Sequence, residues 1–444
     1  MSGSTPDFRR GVVRLAWRWA STWLLAAAFA GILPAQDTEA GRILFARIQA
    51  HITEELTHLP NYTCLQTIAR YRKSGVKQTA LEPLDQVRLE VVYNDRQEWY
   101  GSPGDRSFTL SNPVGFIGGG MISTGAFGIE VHNIFVSRAA IVTYDGEEQE
   151  AGRSVVRYRF QLPALLRVME VAVLGGSGTV GEEGMFWVDK QSLDLVRVES
   201  HVIEIPIYLP LDSMDSRVVF GRTRIGEHDV LLPQHAELHV AEPGGLENFN
   251  RSDFTHCRAF HVNSEVRFEA PDEVTQPPTA ANPKVLNGAG DGVEAVPALL
   301  KVTVELAKPI ATTDSVGTLI TGRIVGNVTR KSKLVLADGA EVRGRIRRLE
   351  RYQGGDTYIV GLEFLSVETA TGPLRFYADL LSIDPRAGIK TVLGEPVAVP
   401  GRTQKTAAVT IHELPGVASF FVTPPATAVP AGLRMVWRTR GLLR

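Results

Sequence analysis

Residues 115–128, GFIGGGMISTGAFG, hold six glycines and a Ser-Thr pair in fourteen positions, a composition that raises phosphate binding first. A phosphate loop of the form G-x-x-x-x-G-K-[ST] needs its lysine for the phosphates and its hydroxyl for magnesium. Gly115 and Gly120 have that spacing, but Met121 and Ile122 follow, so both groups are missing. The dinucleotide fingerprint fails as well, because Ser123 stands where a third glycine is required and no strand-helix-strand unit surrounds it. Phe127, Val131, Ile134 and Phe135 follow as an apolar stripe at helical spacing. Glycine in a helix costs about 1 kcal/mol relative to alanine. The stretch therefore reads as a flap whose apolar face covers a sheet, with a rigid Gly-rich turn as the alternative.

Three further constellations fall short of chemistry. His235, Glu237 and His239 share one face of a strand, but the two histidines are then about 13 Å apart. A single zinc with bonds near 2 Å does not bridge that span. Gly175-Gly176-Ser177-Gly178 misses the nucleophile elbow, since Thr179 stands where its last glycine belongs. In RGRIRRLER (343–351), Arg343, Arg345 and Arg347 form a basic strip along a strand. Glu341, Glu350 and Glu363 lie close by and stacking aromatics are sparse, so a solvated or partner-facing strand is expected rather than a nucleic-acid site. These readings make the chain a non-enzyme with no cofactor and no metal.

The first 36 residues differ from the rest. Arg9, Arg10, Arg14 and Arg18 precede WASTWLLAAAFAGIL (19–33), an apolar run too short for a membrane span of about 20 residues. It fits a secretory signal, with A-x-A cleavage after Ala30 or near Ala35; retention as an anchor is the alternative. Export to a periplasmic or secreted location allows Cys64 and Cys257, the two cysteines of the chain, to form a disulfide; two buried thiols are the alternative. The net charge of −2 gives no global field for nucleic acid or an anionic surface.

Behind the signal, Phe45, Ile48, Ile52, Leu56 and Leu59 recur at helical spacing, and Pro60 ends the helix. The period then changes to two. Residues 87–100 read as a hairpin about Asn94-Asp95, and 154–162, 184–200, 216–225, 234–241 and 257–268 read as strands. One helix and many antiparallel strands predict a mainly β domain over 37–268, its sheet wrapped around the helix. Residues 269–296, rich in Pro, Gly, Ala and Asn, read as a linker. A second all-β domain follows over 297–386, turning at Asp338-Gly339, and then a Pro-rich basic tail with added strands over 387–444.

Two resemblances add to this reading. Gly184-x-x-Trp187-Val188-Asp189, then Ser192, then Val196-Arg197-Val198-Glu199, resembles the strand-turn-strand of the LolA-like periplasmic lipoprotein-carrier superfamily. That resemblance covers about 37–268. It implies a curved antiparallel half-barrel closed by helices around an apolar cavity that takes acyl chains or a lipidated partner. Residues 306–346, LAKPIATTDSVGTLITGRIVGNVTRKSKLVLADGAEVRGRI, resemble part of the β-barrel domain of type IV secretion core-channel proteins, which implies an envelope scaffold. As a whole the chain resembles secreted proteins of soil bacteria. The resulting expectation is an exported cell-envelope protein binding a lipid or lipidated partner. Phe45, Ile48 and Ile52 on the helix, and Phe127, Ile134 and Phe135 on the flap, are expected to line the cavity. The alternative is an assembly scaffold that docks to an envelope protein and has no small ligand.

Overall fold

The computed structural model describes residues 39–94, 97–104, 107–110, 116–117, 122, 129–166, 169–173, 176–260, 285–287, 294–352, 355–391 and 416–441. Asp37–Arg444 forms one compact unit. The expected signal, Phe127 and most of the Gly-rich stretch lie outside the described residues.

Helix α1 (Glu39–Thr57) forms on the expected stripe: Ile48 and Ile52 are buried, and Phe45 and Leu56 pack against the core. It stops short of Pro60, which has no backbone N–H to offer a further turn. The first sheet has thirteen strands: β1 (Tyr62–Ser74), β2 (Glu82–Asn94), β3 (Gln97–Gly101), β4 (Ser107–Leu110), β5 (Ile141–Glu150), β6 (Arg153–Leu162), β7 (Met169–Val173), β8 (Gly176–Asp189), β9 (Leu195–Ile203), β10 (Ser213–Ile225), β11 (His228–Glu242), β12 (Leu246–Ala259) and β13 (Val285–Asn287). Their order is β13-β4-β3-β2-β1-β12-β11-β10-β9-β8-β6-β5, with β7 beside β8. Every neighbouring pair is antiparallel, and the sheet curls into a half-barrel. Two meanders make it up. One runs outward from β1 to β4, the other inward from β5 to β12, and the β1–β12 ladder joins them.

Alternation decides the faces. Val156, Tyr158, Phe160 and Leu162 on β6 are buried on the side of α1, as are Phe186 and Val188 on β8 and Val218 and Phe220 on β10. The half-barrel is followed by a second β sheet. Its strands, with two small ladders, are β14 (Lys301–Leu306), β15 (Ile310–Ala311), β16 (Leu319–Ile324), β17 (Val328–Arg330), β18 (Lys333–Leu336), β19 (Glu341–Arg351), β20 (Tyr358–Thr369), β21 (Gly372–Arg375), β22 (Ala378–Ile383), β23 (Ile389–Thr391), β24 (Ala418–Val422), β25 (Ala428–Val429) and β26 (Arg434–Thr439). The main path is β22-β26-β14-β16-β19-β20-β24-β23. The strand read at the end of the sequence thus sits inside this sheet as β26, between β22 and β14.

A free backbone edge joins the two sheets. Because β3 pairs only residues 90–94 of β2, the edge of β2 at residues 86–88 stays open. Val316 fills it: Arg88 N donates to Val316 O at 2.8 Å, and Val316 N donates to Gln86 O at 2.7 Å. Gly317 follows at φ +93°, and a Cβ there would fall 2.5 Å from Arg88 O, so the crossing requires glycine. Beside this seam Arg70 and Asp85, cross-strand partners on β1 and β2, form a two-pronged pair. Nη2–Oδ2 is 2.5 Å and Nε–Oδ1 is 2.6 Å, with both side chains 1% exposed. Burial works to lower the Arg70 pKa, and Asp85, helped by Glu350 of the second sheet, raises it above its ordinary value.

Cys64 on β1 and Cys257 on β12 are bonded, 193 residues apart in sequence, at the bulge between Thr63 and Leu65. The staple lies across the seam of the two meanders.

Asp85→Ala removes the two-pronged carboxylate partner of a buried guanidinium and is expected to cost about 3–5 kcal/mol in urea unfolding, whereas Arg70→Met with Asp85→Leu recovers most of that loss. Replacing Cys64 and Cys257 together by serine is expected to lower stability by up to about 5 kcal/mol, the chain-entropy value for so long a loop. The urea midpoint of the oxidised protein against the double variant measures it.

Candidate binding site

The face of the half-barrel that takes α1 is closed by a second piece, the segment from Ile129 to Val136. It makes one short α-turn (Ile129–Val131) and one π-turn (His132–Val136), and Arg138 follows with φ 56°. Gly41 lets α1 approach, since a Cβ there would meet the Tyr144 side chain at 2.8 Å. The helix is tied at that end by Tyr158 Oη, which donates to Gly41 O at 2.8 Å, and in its middle by Gln49 Nε2, which donates to Phe135 O at 2.8 Å.

Between cover and sheet lies a cluster of aromatic rings. Phe45 is 6.3 Å from Phe135, 5.5 Å from Tyr158 and 6.1 Å from Phe186, centroid to centroid. Phe135 meets Phe186 edge-on at 4.9 Å, and Tyr158 stacks on Phe186 at 5.3 Å. Of the six residues expected to line a cavity, Phe45, Ile48, Ile52, Ile134 and Phe135 share one apolar cluster, while Phe127 is outside the described residues.

A second apolar cluster continues the same face toward the β6–β7 and β9–β10 loops: Val171, Val180, Val202, Leu209, Leu211, Leu238 and Val240. Between the two clusters sits a polar island. Glu182 on β8, Ser200 on β9 and Ser216 on β10 occupy positions where the alternation calls for apolar residues, and Glu130 reaches them from the cover. Ser200 Oγ is 2.7 Å from Ser216 Oγ, and both carboxyl groups lie close enough to feel the Ser200 hydroxyl. Burial, then the charge of Glu182, pushes Glu130 up to about 8 against a lowering by Ser200; burial likewise raises Glu182. Glu130 and Glu182 are far apart in sequence, and no motif joins them. Their one legible trace is a polar residue at an inward position on three neighbouring strands.

The far end of α1 is held by charge. Arg222 Nη1 donates to Glu55 Oε2 at 3.0 Å and Nε donates to Asp194 Oδ2 at 3.1 Å, while His51 Nε2 lies 3.2 Å from Asp194 Oδ1. Burial alone would raise the Asp194 pKa, but the hydrogen bonds from Arg222 and His51 outweigh it and lower it.

The other candidates resolve into structure. On β11, His235 pairs with Asp253, Glu237 with Arg251 and His239 with Glu247, each across to β12. In the basic strip Arg343 pairs with Glu341, Arg347 with Glu363 and Arg348 with Glu350, and Arg345 donates to Gly317 O. The 184–199 motif also has structural work. Gly184 faces the Phe160 ring, where a Cβ would clash at 2.9 Å. Trp187 carries the Arg197 guanidinium 3.9 Å above its ring, and Asp189 Oδ1 accepts from Gln191 N and Ser192 N to form the turn. A groove of about 770 Å³ is lined by charged side chains, Arg159, Glu183, Asp215 and Arg217, interleaved with the apolar Ile141 and Met185.

The Glu130 pKa lies above its unfolded value of about 4.5, so its stabilising contribution is complete below that pH and is lost as pH rises through about 8. The melting temperature is expected to fall between about pH 4.5 and pH 8, and Glu130→Gln to flatten that fall while leaving the value at pH 4 unchanged.

No protein-family model and no curated protein matches the chain. Among solved structures it is similar to a DUF1329 family protein from Desulfovibrio piger, at 12% identity and a TM-score of 0.28, over 51% of this chain and 96% of that one. It is similar to a putative outer membrane lipoprotein-sorting protein domain from Vibrio parahaemolyticus at 10% identity and a TM-score of 0.27, over 50% and 93%. A LolA superfamily protein from Nitrosomonas europaea matches at 8% identity and a TM-score of 0.26, over 50% and 97%. These matches extend over about half of this chain.

Proposed function

We propose that this is an exported envelope protein that holds an acyl chain, of a lipid or a lipidated partner, between the curved sheet and its cover of α1 and residues 129–136. The observation that carries the reading is the cover itself. A sheet of this size is closed here by one 19-residue helix and two short turns, and rings hold the middle of that cover to the sheet. Such contacts have no direction. Methylenes replacing Phe45 or Phe135 against the sheet regain about 0.8 kcal/mol each on burial, so exchange of cover for ligand is nearly balanced. Phe45, Ile48, Ile52, Ile134 and Phe135 would line the chain, with Phe127 a further candidate on the flap.

The second reading is an envelope scaffold with no ligand. Ring centroids 4.9–6.3 Å apart favour it, because they fill the space a ligand would take.

Mass spectrometry of an organic extract of the protein, purified from periplasm without detergent, separates the two. The carrier predicts a stoichiometric lipid. Phe45→Glu, on a half-buried side chain, is expected to lose it at least about tenfold with the circular dichroism unchanged, and Phe45→Leu to keep it. A folded protein that carries no lipid and takes up no fluorescent fatty acid is the scaffold.

A further inference from the structure

The β6–β7 and β9–β10 loops lie together at one end of the half-barrel. Ala164 N donates to Glu204 Oε2 at 2.9 Å, and the Tyr208 hydroxyl and Pro206 pack over Gly178 of the β7–β8 hairpin. Leu209 and Leu211 turn inward into the second apolar cluster and anchor the longer loop. Their neighbours turn outward. Ile207 is 104% exposed, Leu165 89%, Tyr208 68% and Leu166 47%. Four large apolar side chains on two adjoining loops, over a buried apolar foundation, are not the scattered hydrophobes of an ordinary surface.

We propose that this tip seats in the surface of a lipid bilayer. Charge favours that partner. Residues 205–211, IPIYLPL, carry no ionisable group apart from the Tyr208 phenol, and neither do 163–166, PALL. The Glu204 carboxylate is turned back onto the Ala164 amide. A protein interface is rimmed by polar and charged groups, whereas entry into a bilayer is easiest for a segment without them. Tyrosine with leucine and isoleucine is the composition of the membrane–water boundary. Size points the same way: a standard protein interface takes about 20–30 residues a side, far more than two loop tips present. The side chains protrude, as wedges do. The inference stands on the tip alone and holds whether or not the curved face takes a ligand.

The test uses the compact unit 37–444, so that the apolar run at 19–33 contributes nothing, and vesicles of phosphatidylethanolamine with phosphatidylglycerol. Cosedimentation is expected and is expected to persist at high salt, because apolar insertion is not screened. Leu165→Glu with Ile207→Glu is expected to weaken it by at least about tenfold with an unchanged melting temperature. Leu319→Glu, on a side chain 61% exposed in the second sheet, is expected to leave it intact. Failure of the unsubstituted protein to sediment with vesicles, or equal sedimentation of the double variant, overturns the proposal. So does a lipid-free dimer in sedimentation velocity that the double variant dissolves, which gives the tip to a second copy of the chain.

Discussion

The ladder between β1 and β12 is the constraint on which the rest of this structure depends. It pairs the first strand after α1 with a strand almost two hundred residues later, and a disulfide crosses it. Once it forms, β4 and β5 stand toward opposite edges of the sheet although they are consecutive in the chain. The connection between them must then cross the curved face. That is why Ile117, Ile122, Val131, Ile134 and Phe135, all in that connection, are buried in the main core. α1 has as little freedom, since only residues 58–61 separate it from β1 in the middle of the sheet. Helix and crossover cover the same face because topology leaves them no other, and the candidate site follows from that.

The second sheet depends on the same arrangement by a different route. The shortness of β3 leaves part of β2 without a neighbour, and an unpaired strand edge is a liability unless something takes it. Residues 315–317 take it. The surrounding arginines serve this seam: Arg345 bonds the Gly317 carbonyl, and Arg348 pairs with Glu350, whose charge also acts on Arg70. A run that looks in sequence like a strip for an anionic partner has most of its charge answered inside the molecule.

Periodicity made much of this legible. The stripe from Phe45 to Leu56 is α1, the alternation from Val87 to Tyr93 is β2, and the two cysteines close the ladder that an antiparallel sheet of this order requires. What periodicity does not carry is partner choice. Asp338-Gly339 makes a turn, but β18 before it pairs back with β17 and not with β19. Nothing local announces that Val316 adds to β2, because a three-residue edge contact has no pattern of its own. The polar island was hidden for the same reason: Glu130 and Glu182 meet only because the crossover passes over β8 and β9. Ser200 and Ser216 were visible as breaks in alternation, yet a lone serine facing inward is common and becomes informative only when its cross-strand neighbour is polar too.

The two ends of α1 are held by different forces, and that difference sets how the cover could open. At the far end, Arg222 binds Glu55 and Asp194 together, and His51 adds to Asp194; these contacts are directional and lost all at once. At the near end the hydrogen bond from Tyr158 to Gly41 and the packing of Phe45 on rings hold the helix. Apolar contacts are regained with any apolar substitute, while the ion pairs have none. Opening therefore costs least as a swing of the first turns of α1 about its charged end, taking Phe45 off Tyr158 and Phe186. The Glu130 carboxyl sits on the neighbouring piece of the cover, and losing its proton adds a buried charge beside Glu182. In the proposed carrier the aromatic half of the site would give way to the acyl chain, and the acid pair would set how readily its cover leaves.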